Sequence, residues 1–148
     1  NFILSNGNSS SYYIDLRSLS SNINVYKELI KALSLYVSKD NSIVGVESAG
    51  IPYAASIGNI LNIPFGYIRK NKKSYGLQKL VEGNLSKCKK LTIVEDVITT
   101  GRSVCNAIKN ATSEGYQVDY VICTFLRSNE AIKELEKLNV KLIYLFKL

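Results

Sequence analysis

Short apolar runs alternate along the chain with amphipathic stretches, and this alternation constrains the possible folds more than any other feature. The apolar runs fall at residues 42–46, 65–68, 91–94, 118–126 and 141–146, and a further short strand is expected at 12–16 after a Ser/Asn/Gly-rich turn. Between them, residues 26–37 carry Leu29, Ile30, Leu33 and Val37 at helical spacing. Residues 104–113 and 130–138 read as helices, and another helix opens near Pro52, a residue favoured in a first turn because its missing N–H costs nothing there. Strands that alternate with helices predict an α/β fold: a central, mostly parallel sheet flanked by helices. A chain of 148 residues suits one domain, because halves would be too small to build good cores. Residues 69–90 break the rhythm. They are polar and Lys-rich, with Gly76 and Gly83 as breakers, and so long a stretch in a compact domain is expected to be a functional loop or arm.

Composition removes several chemistries. The chain has no histidine, so Ser-His-Asp hydrolysis, Cys-His proteolysis and histidine-ligated zinc are excluded, and proton transfer falls to carboxylates, Lys, Tyr, Cys or water. Cys88, Cys105 and Cys123 are odd in number and lack C-x-x-C spacing, which argues against a zinc site or disulfide framework and fits a reducing cytoplasm. Cys105 and Cys123 lie in apolar stretches and read as core thiols. No apolar run approaches the roughly 20 residues that span a bilayer. No signal peptide is visible, although the chain begins at Asn1 rather than at an initiator Met. The net charge of +7 favours an anionic partner, which charge alone does not identify.

The most informative segment runs from Leu91 to Ser103: an apolar strand, then Glu95 and Asp96, then Val97-Ile98-Thr99-Thr100-Gly101-Arg102-Ser103 opening a helix. A loop at a helix N-terminus offers unpaired N–H groups and about half a positive charge from the helix dipole. Thr99, Thr100 and Ser103 add hydroxyl donors, and Gly101 allows close approach or positive φ. Together these suit a phosphate monoester. The acids are expected at the carboxyl end of the strand, where open α/β sheets place ligands. Beside a phosphate cradle they make sense if the ligand also presents vicinal hydroxyls or Mg²⁺. A ribose 5-phosphate unit satisfies both halves. A simple capped strand–turn–helix junction would explain one acid or one Thr, but not the whole run. Neither a Walker A loop nor a G-x-G-x-x-G fingerprint is present.

This run resembles the phosphoribosyl diphosphate motif of the type I phosphoribosyltransferases, and three other stretches resemble the orotate branch of that family. The first, Phe2 to Gly7 followed by Ser11 to Asp15, is similar to the strand pair that forms a small N-terminal hood over the pyrimidine. The second, Val46 to Pro52, resembles the diphosphate loop. The third, Arg69-Lys70-Asn71-Lys72-Lys73-Ser74-Tyr75-Gly76, matches a loop that closes over the active site, with Tyr75 in place of the family's histidine.

The resemblance implies a set of roles. Glu95 and Asp96 would hold the ribose hydroxyls and help place Mg²⁺, which would be bound through substrate and not by direct protein ligation. Residues 97–103 would surround the 5-phosphate. Ser48, Ala49 and Gly50, with Arg69, Lys70, Lys73 and Tyr75, would bind the diphosphate. Lys73 and Asp96 would be catalytic. Tyr13, Ile14, Asp15, Thr99 and Arg127 would bind orotate, Arg127 presenting a guanidinium fork to its carboxylate. The family usually has Asp-Arg at that point, where this chain has Leu126-Arg127, and Ser5 stands where many members have Lys.

The implied partners are orotate and 5-phosphoribosyl 1-diphosphate, with a homodimer in which the loop serves the neighbouring site, and with neither nucleic acid nor membrane. A purine phosphoribosyltransferase with the same sugar site stays open, as does a ligand-sensing regulator that binds RNA through its basic face. The first would have a different hood and no R-K-x-x-K loop. The second lacks any RNP-like aromatic set or helix-turn-helix.

Overall fold

The computed structural model describes the chain apart from residues 1, 4–6, 8, 12–14, 16–17, 73, 75, 77 and 86–88. Its centre is a six-stranded sheet built from β3 (Ser42–Val46), β4 (Phe65–Ile68), β5 (Val81–Glu82), β6 (Lys90–Ile98), β7 (Gln117–Leu126) and β8 (Lys141–Lys147), in the order β5-β4-β3-β6-β7-β8. All neighbours are parallel except β4 and β5. The first two strands, β1 (Phe2–Ile3) and β2 (Ser9–Ser10), form a separate antiparallel pair.

The helices divide between the two faces. α1 (Ile23–Ser34) and α2 (Gly50–Leu61) bury Ile30, Leu33, Tyr53, Ala54 and Ile57 against Ile43, Val94 and Ile122. α3 (Arg102–Ser113) and α4 (Glu130–Glu136) bury Val104, Ala107, Ile108, Ala111, Ala131 and Leu135 against Val44, Leu91, Ile93 and Val121. Buried on both faces, the central strands read as continuous apolar runs, and this is why they stand out in the sequence.

Two boundaries differ from expectation. β6 does not stop at Val94 but runs on through both acids, Glu95 pairing with Cys123 and Ile98 with Leu126. The 69–90 stretch is not wholly a loop, because Val81–Glu82 returns to the sheet as β5 with Leu80, Val81 and Leu85 buried. At the N-terminus Phe2–Ile3 pairs with Ser9–Ser10, and of the strand expected at 12–16, residues 12–14 and 16 lie outside the described residues.

Candidate active site

The carboxyl ends of β3, β6 and β7 face the same rim of the sheet, and a cleft of about 420 Å³ opens there on the α3 side. Glu95 and residues 97–104 line one side, and Arg69, Lys70 and Asn71 line another. The first turn of α3 faces this space with no cap from its N-cap residue, which leaves N–H groups there for an anion. The N-cap is Gly101 with φ +82°, a conformation that favours glycine, and a Cβ there would lie 3.1 Å from the Ala131 Cα. Glycine therefore allows both the turn and the close seating of α4 behind it. The N-cap itself carries no side-chain oxygen, and the one side-chain contact to the first turn is a long one of 3.5 Å from the Arg102 N–H to Thr100 Oγ1.

Adjacent at the end of β6, the two acids stay within hydrogen-bonding reach of each other. Glu95, paired with Cys123, faces the α3 side and lines the cleft. Asp96 turns toward α2, and its charge acts on the Tyr53 phenol more strongly than that of Glu95. Glu95 is 8% exposed. Burial pushes its carboxyl well above the usual carboxylate range, and the neighbouring Asp96 charge raises it further. The Asp96 N–H, donating to Glu95 Oε1 at 3.1 Å, works in the opposite direction. Burial likewise raises the Tyr53 hydroxyl and the Cys123 thiol, each to about 12. A thiol held there is protonated at neutral pH, as expected of a core cysteine and not of a nucleophile.

The state of Glu95 has a measurable consequence. A carboxyl whose folded-state pKa is raised binds more protons folded than unfolded, so stability falls as pH climbs from the ordinary value of 4.5 through the raised one. Glu95→Gln removes that dependence. Without ligand, its melting temperature is expected to exceed that of the unaltered protein near pH 7.5, with the gap closing toward about pH 4.5. A gap independent of pH would contradict the assignment.

The diphosphate-loop candidates lie between β3 and α2. Ser48 is exposed, Ala49 half-buried and Gly50 buried, and the Ile51 N–H donates to the Ser48 carbonyl at 3.2 Å. Glu47 links this loop to the basic stretch: its N–H donates to the Ile68 carbonyl at 3.0 Å, and its Oε2 accepts from the Lys70 N–H at 3.0 Å. Arg69 lines the cleft, but its guanidinium is also engaged sideways. Nη1 donates to the Tyr67 hydroxyl at 3.2 Å and lies 3.6 Å from Glu82 Oε1. Arg127 follows β7 directly, its N–H donating to the Ile98 carbonyl at 2.9 Å, which sets it beside the end of β6. Leu126, where the family has Asp, is fully buried in the core. Asp15 is exposed and uses Oδ1 and its carbonyl to hold Ser18. Tyr13, Ile14, Lys73 and Tyr75 lie outside the described residues. Sequence reasoning passed over Glu47, Asn106 and Asn110. The last two line the cleft along α3, one and two helical turns beyond Arg102.

The phosphoribosyl transferase domain family matches residues 14–144. Orotate phosphoribosyltransferase of Sulfurisphaera tokodaii is 37% identical over 150 aligned positions, covering 100% of this chain and 76% of that one. The chain belongs to the phosphoribosyltransferase family and groups with its orotate phosphoribosyltransferases. The Methanocaldococcus jannaschii orotate phosphoribosyltransferase is 37% identical across 96% of this phosphoribosyltransferase and 81% of its own length. The crystal structure of orotate phosphoribosyltransferase from Aeropyrum pernix superposes with a TM-score of 0.84 at 31% identity, covering 99% of this chain and 85% of that one. The expected α/β fold with a central, mostly parallel sheet is the fold of this family.

Proposed function

We propose that this phosphoribosyltransferase joins N1 of orotate to C1 of 5-phosphoribosyl 1-diphosphate, giving orotidine 5′-monophosphate and diphosphate, a step of pyrimidine biosynthesis. One observation carries the assignment of the sugar site: the first turn of α3 and the Glu95 carboxylate open into the same cleft. Residues 99–103 then take the 5-phosphate through backbone N–H groups and hydroxyls, with Val97 and Ile98 walling the cleft behind. Glu95 and Asp96 accept hydrogen bonds from the ribose hydroxyls. A bound cation or hydroxyl donor would favour the charged form of Glu95, which burial alone disfavours.

Among the described residues no group of three or more acids or other metal ligands is gathered. That donor set fits a Mg²⁺ held mainly by substrate oxygens, with Glu95 and Asp96 near it, and not a dedicated protein cage. When bound, the ion would neutralise charge on the leaving diphosphate.

As the C1–O bond to diphosphate breaks, the sugar takes on oxocarbenium character and N1 of orotate closes on C1. Ser48, Ala49 and Gly50 offer N–H groups to the diphosphate. Arg69, Lys70, Lys73 and the Tyr75 hydroxyl bring donors from the basic arm. Arg127 pairs with the orotate carboxylate, with Tyr13, Ile14, Asp15 and Thr99 around the ring. The enzyme works as a cytoplasmic homodimer whose arm completes the neighbouring site.

The test is a base panel. Protein, Mg²⁺ and 5-phosphoribosyl 1-diphosphate are mixed in turn with orotate, uracil, adenine and hypoxanthine, and base absorbance is followed. Turnover of orotate alone is expected. Consumption of a purine but not orotate would overturn the specificity, and omitting Mg²⁺ is expected to abolish the signal.

A further inference from the structure

We propose that Asn110 and Glu114 of α3 are positioning residues that clip both stems of the basic arm to the phosphate-loop helix, and so set where Arg69, Lys70 and Asn71 stand in the cleft. The proposal rests on the arm's role in the reaction given above.

The outgoing stem leaves β4 after Ile68, and the incoming stem rejoins the sheet at Val81. The Arg69 N–H donates to the Leu80 carbonyl at 2.8 Å, closing the base of the arm. Beyond that bond the sheet itself contributes little, because β4 and β5 pair only at Tyr67↔Glu82 and Ile68↔Val81. So short an edge ladder needs support from elsewhere, and α3 supplies it on both sides. The Glu114 carboxylate accepts from the Leu80 N–H at 2.6 Å and the Val81 N–H at 3.1 Å. Asn110 Nδ2 donates to the Arg69 carbonyl at 2.9 Å, with a longer contact of 3.5 Å to the Lys70 carbonyl.

Neither residue is an obvious choice for the helix alone. Asn is a poor interior helix former. A carboxylate at a helix C-terminus opposes the helix dipole, yet Glu114 is the C-cap residue of α3. Both costs have a reason if these side chains serve the arm. Four residues apart, they share one helix face. Asn106 and Arg102 continue that face back to the turn assigned to the 5-phosphate. One rigid helix thus carries both the phosphate turn and the supports of the arm's two stems.

The experiment compares Asn110→Asp, which replaces the donor with an acceptor of similar size, with Glu114→Ala and Glu114→Gln, the last keeping one acceptor oxygen. Four quantities are measured: kcat and KM for 5-phosphoribosyl 1-diphosphate, KM for orotate, Kd for ribose 5-phosphate, and melting temperature. Ribose 5-phosphate reports on the phosphate turn without engaging the arm.

Asn110→Asp and Glu114→Ala are expected to lower kcat/KM for 5-phosphoribosyl 1-diphosphate by about tenfold to a hundredfold, as small misplacements of charge-bearing groups do. Ribose 5-phosphate affinity and orotate KM should stay within about twofold, and Glu114→Gln should recover part of the loss. The proposal is overturned if kcat/KM stays near that of the unaltered protein. It is also overturned if ribose 5-phosphate binding and melting temperature fall in step with it, since α3 would then merely have been weakened. A Lys73→Ala control separates the two levels. If that variant is impaired and the clip variants are not, only the clip fails; if Lys73→Ala is fully active, the arm's role fails and the clip with it.

Discussion

Lys73→Ala is expected to lower turnover by about 10²–10³-fold, the usual loss when one preorganised donor to a developing negative charge is removed. The expectation starts from the base of the arm. Arg69 and Leu80 are joined by a 2.8 Å hydrogen bond, which closes the neck of the arm. Lys70 and Asn71, on the outgoing side, already line the cleft. Lys73 is four residues past Arg69, and covalent geometry allows it to reach up to roughly 13 Å from the neck, enough to cross a substrate-sized cleft. On the proposed mechanism its ammonium would meet the diphosphate as charge grows there.

Lys72, next to it and exposed, supplies the control. Lys72→Ala should stay within about twofold of the unaltered protein, and both variants should melt within about 2 °C of it, as surface substitutions do. Turnover of Lys73→Ala near that of the unaltered protein would remove Lys73 from the mechanism. The dimer can be read in the same preparation. If the arm completes the partner's site, mixing Lys73→Ala with an inactive phosphate-loop variant should regenerate a fraction of the activity that neither shows alone.

Much of the scaffold was legible because burial on both faces writes an unbroken apolar run. Residues 42–46 were read as a strand with the bounds they have, and 65–68 likewise. The helices were legible from their apolar stripe, with ends off by one to three residues where capping rather than packing decides. Charge was the main source of error. Glu95 and Asp96 read as the end of a strand, since carboxylates seldom continue one, yet β6 carries both because pairing with β7 persists to Ile98. That extension matters to function, since pairing with β7 fixes both acids on the strand at the sheet rim, where Glu95 lines the cleft.

β5 was missed for a different reason. Two residues in a Lys-rich stretch have no local strand signal, and their support comes from Glu114, more than 30 positions later in the chain. Asn110 and Glu114 look like ordinary polar helix positions until the arm is placed beside them. The turn at residues 99–103 was legible as a strand–helix junction, because a run of hydroxyls and a glycine there is local chemistry. Arg127 was legible only through resemblance, and its neighbour Leu126, buried in the core, departs from the family pattern without any local warning.

Gly45→Ala should add a methyl for which the fold has no room. A Cβ at Gly45 would lie 2.3 Å from both the carbonyl carbon and oxygen of Gly50 and 2.6 Å from the Ile51 nitrogen. All three are backbone atoms, so no rotamer change can relieve the overlap. Gly50 is confined in turn, since a Cβ there would lie 2.4 Å from the Val94 carbonyl oxygen. The first turn of α2 is therefore seated directly on β3 and β6, and that seat holds residues 47–49 at the sheet rim beside Glu95. To admit the methyl, either the middle of β3 must shift within its ladders to β4 and β6, or α2 must lift away. Overpacking of this kind costs on the order of 3 kcal/mol, which for a domain this size corresponds to a fall of about 10 °C in melting temperature. Any protein that still folds by lifting α2 should bind diphosphate poorly while retaining ribose 5-phosphate, because the turn at residues 99–103 is anchored on the other face by α3 and α4. A Gly45→Ala variant with unchanged melting temperature and full turnover would show that the loop is not held by this close contact.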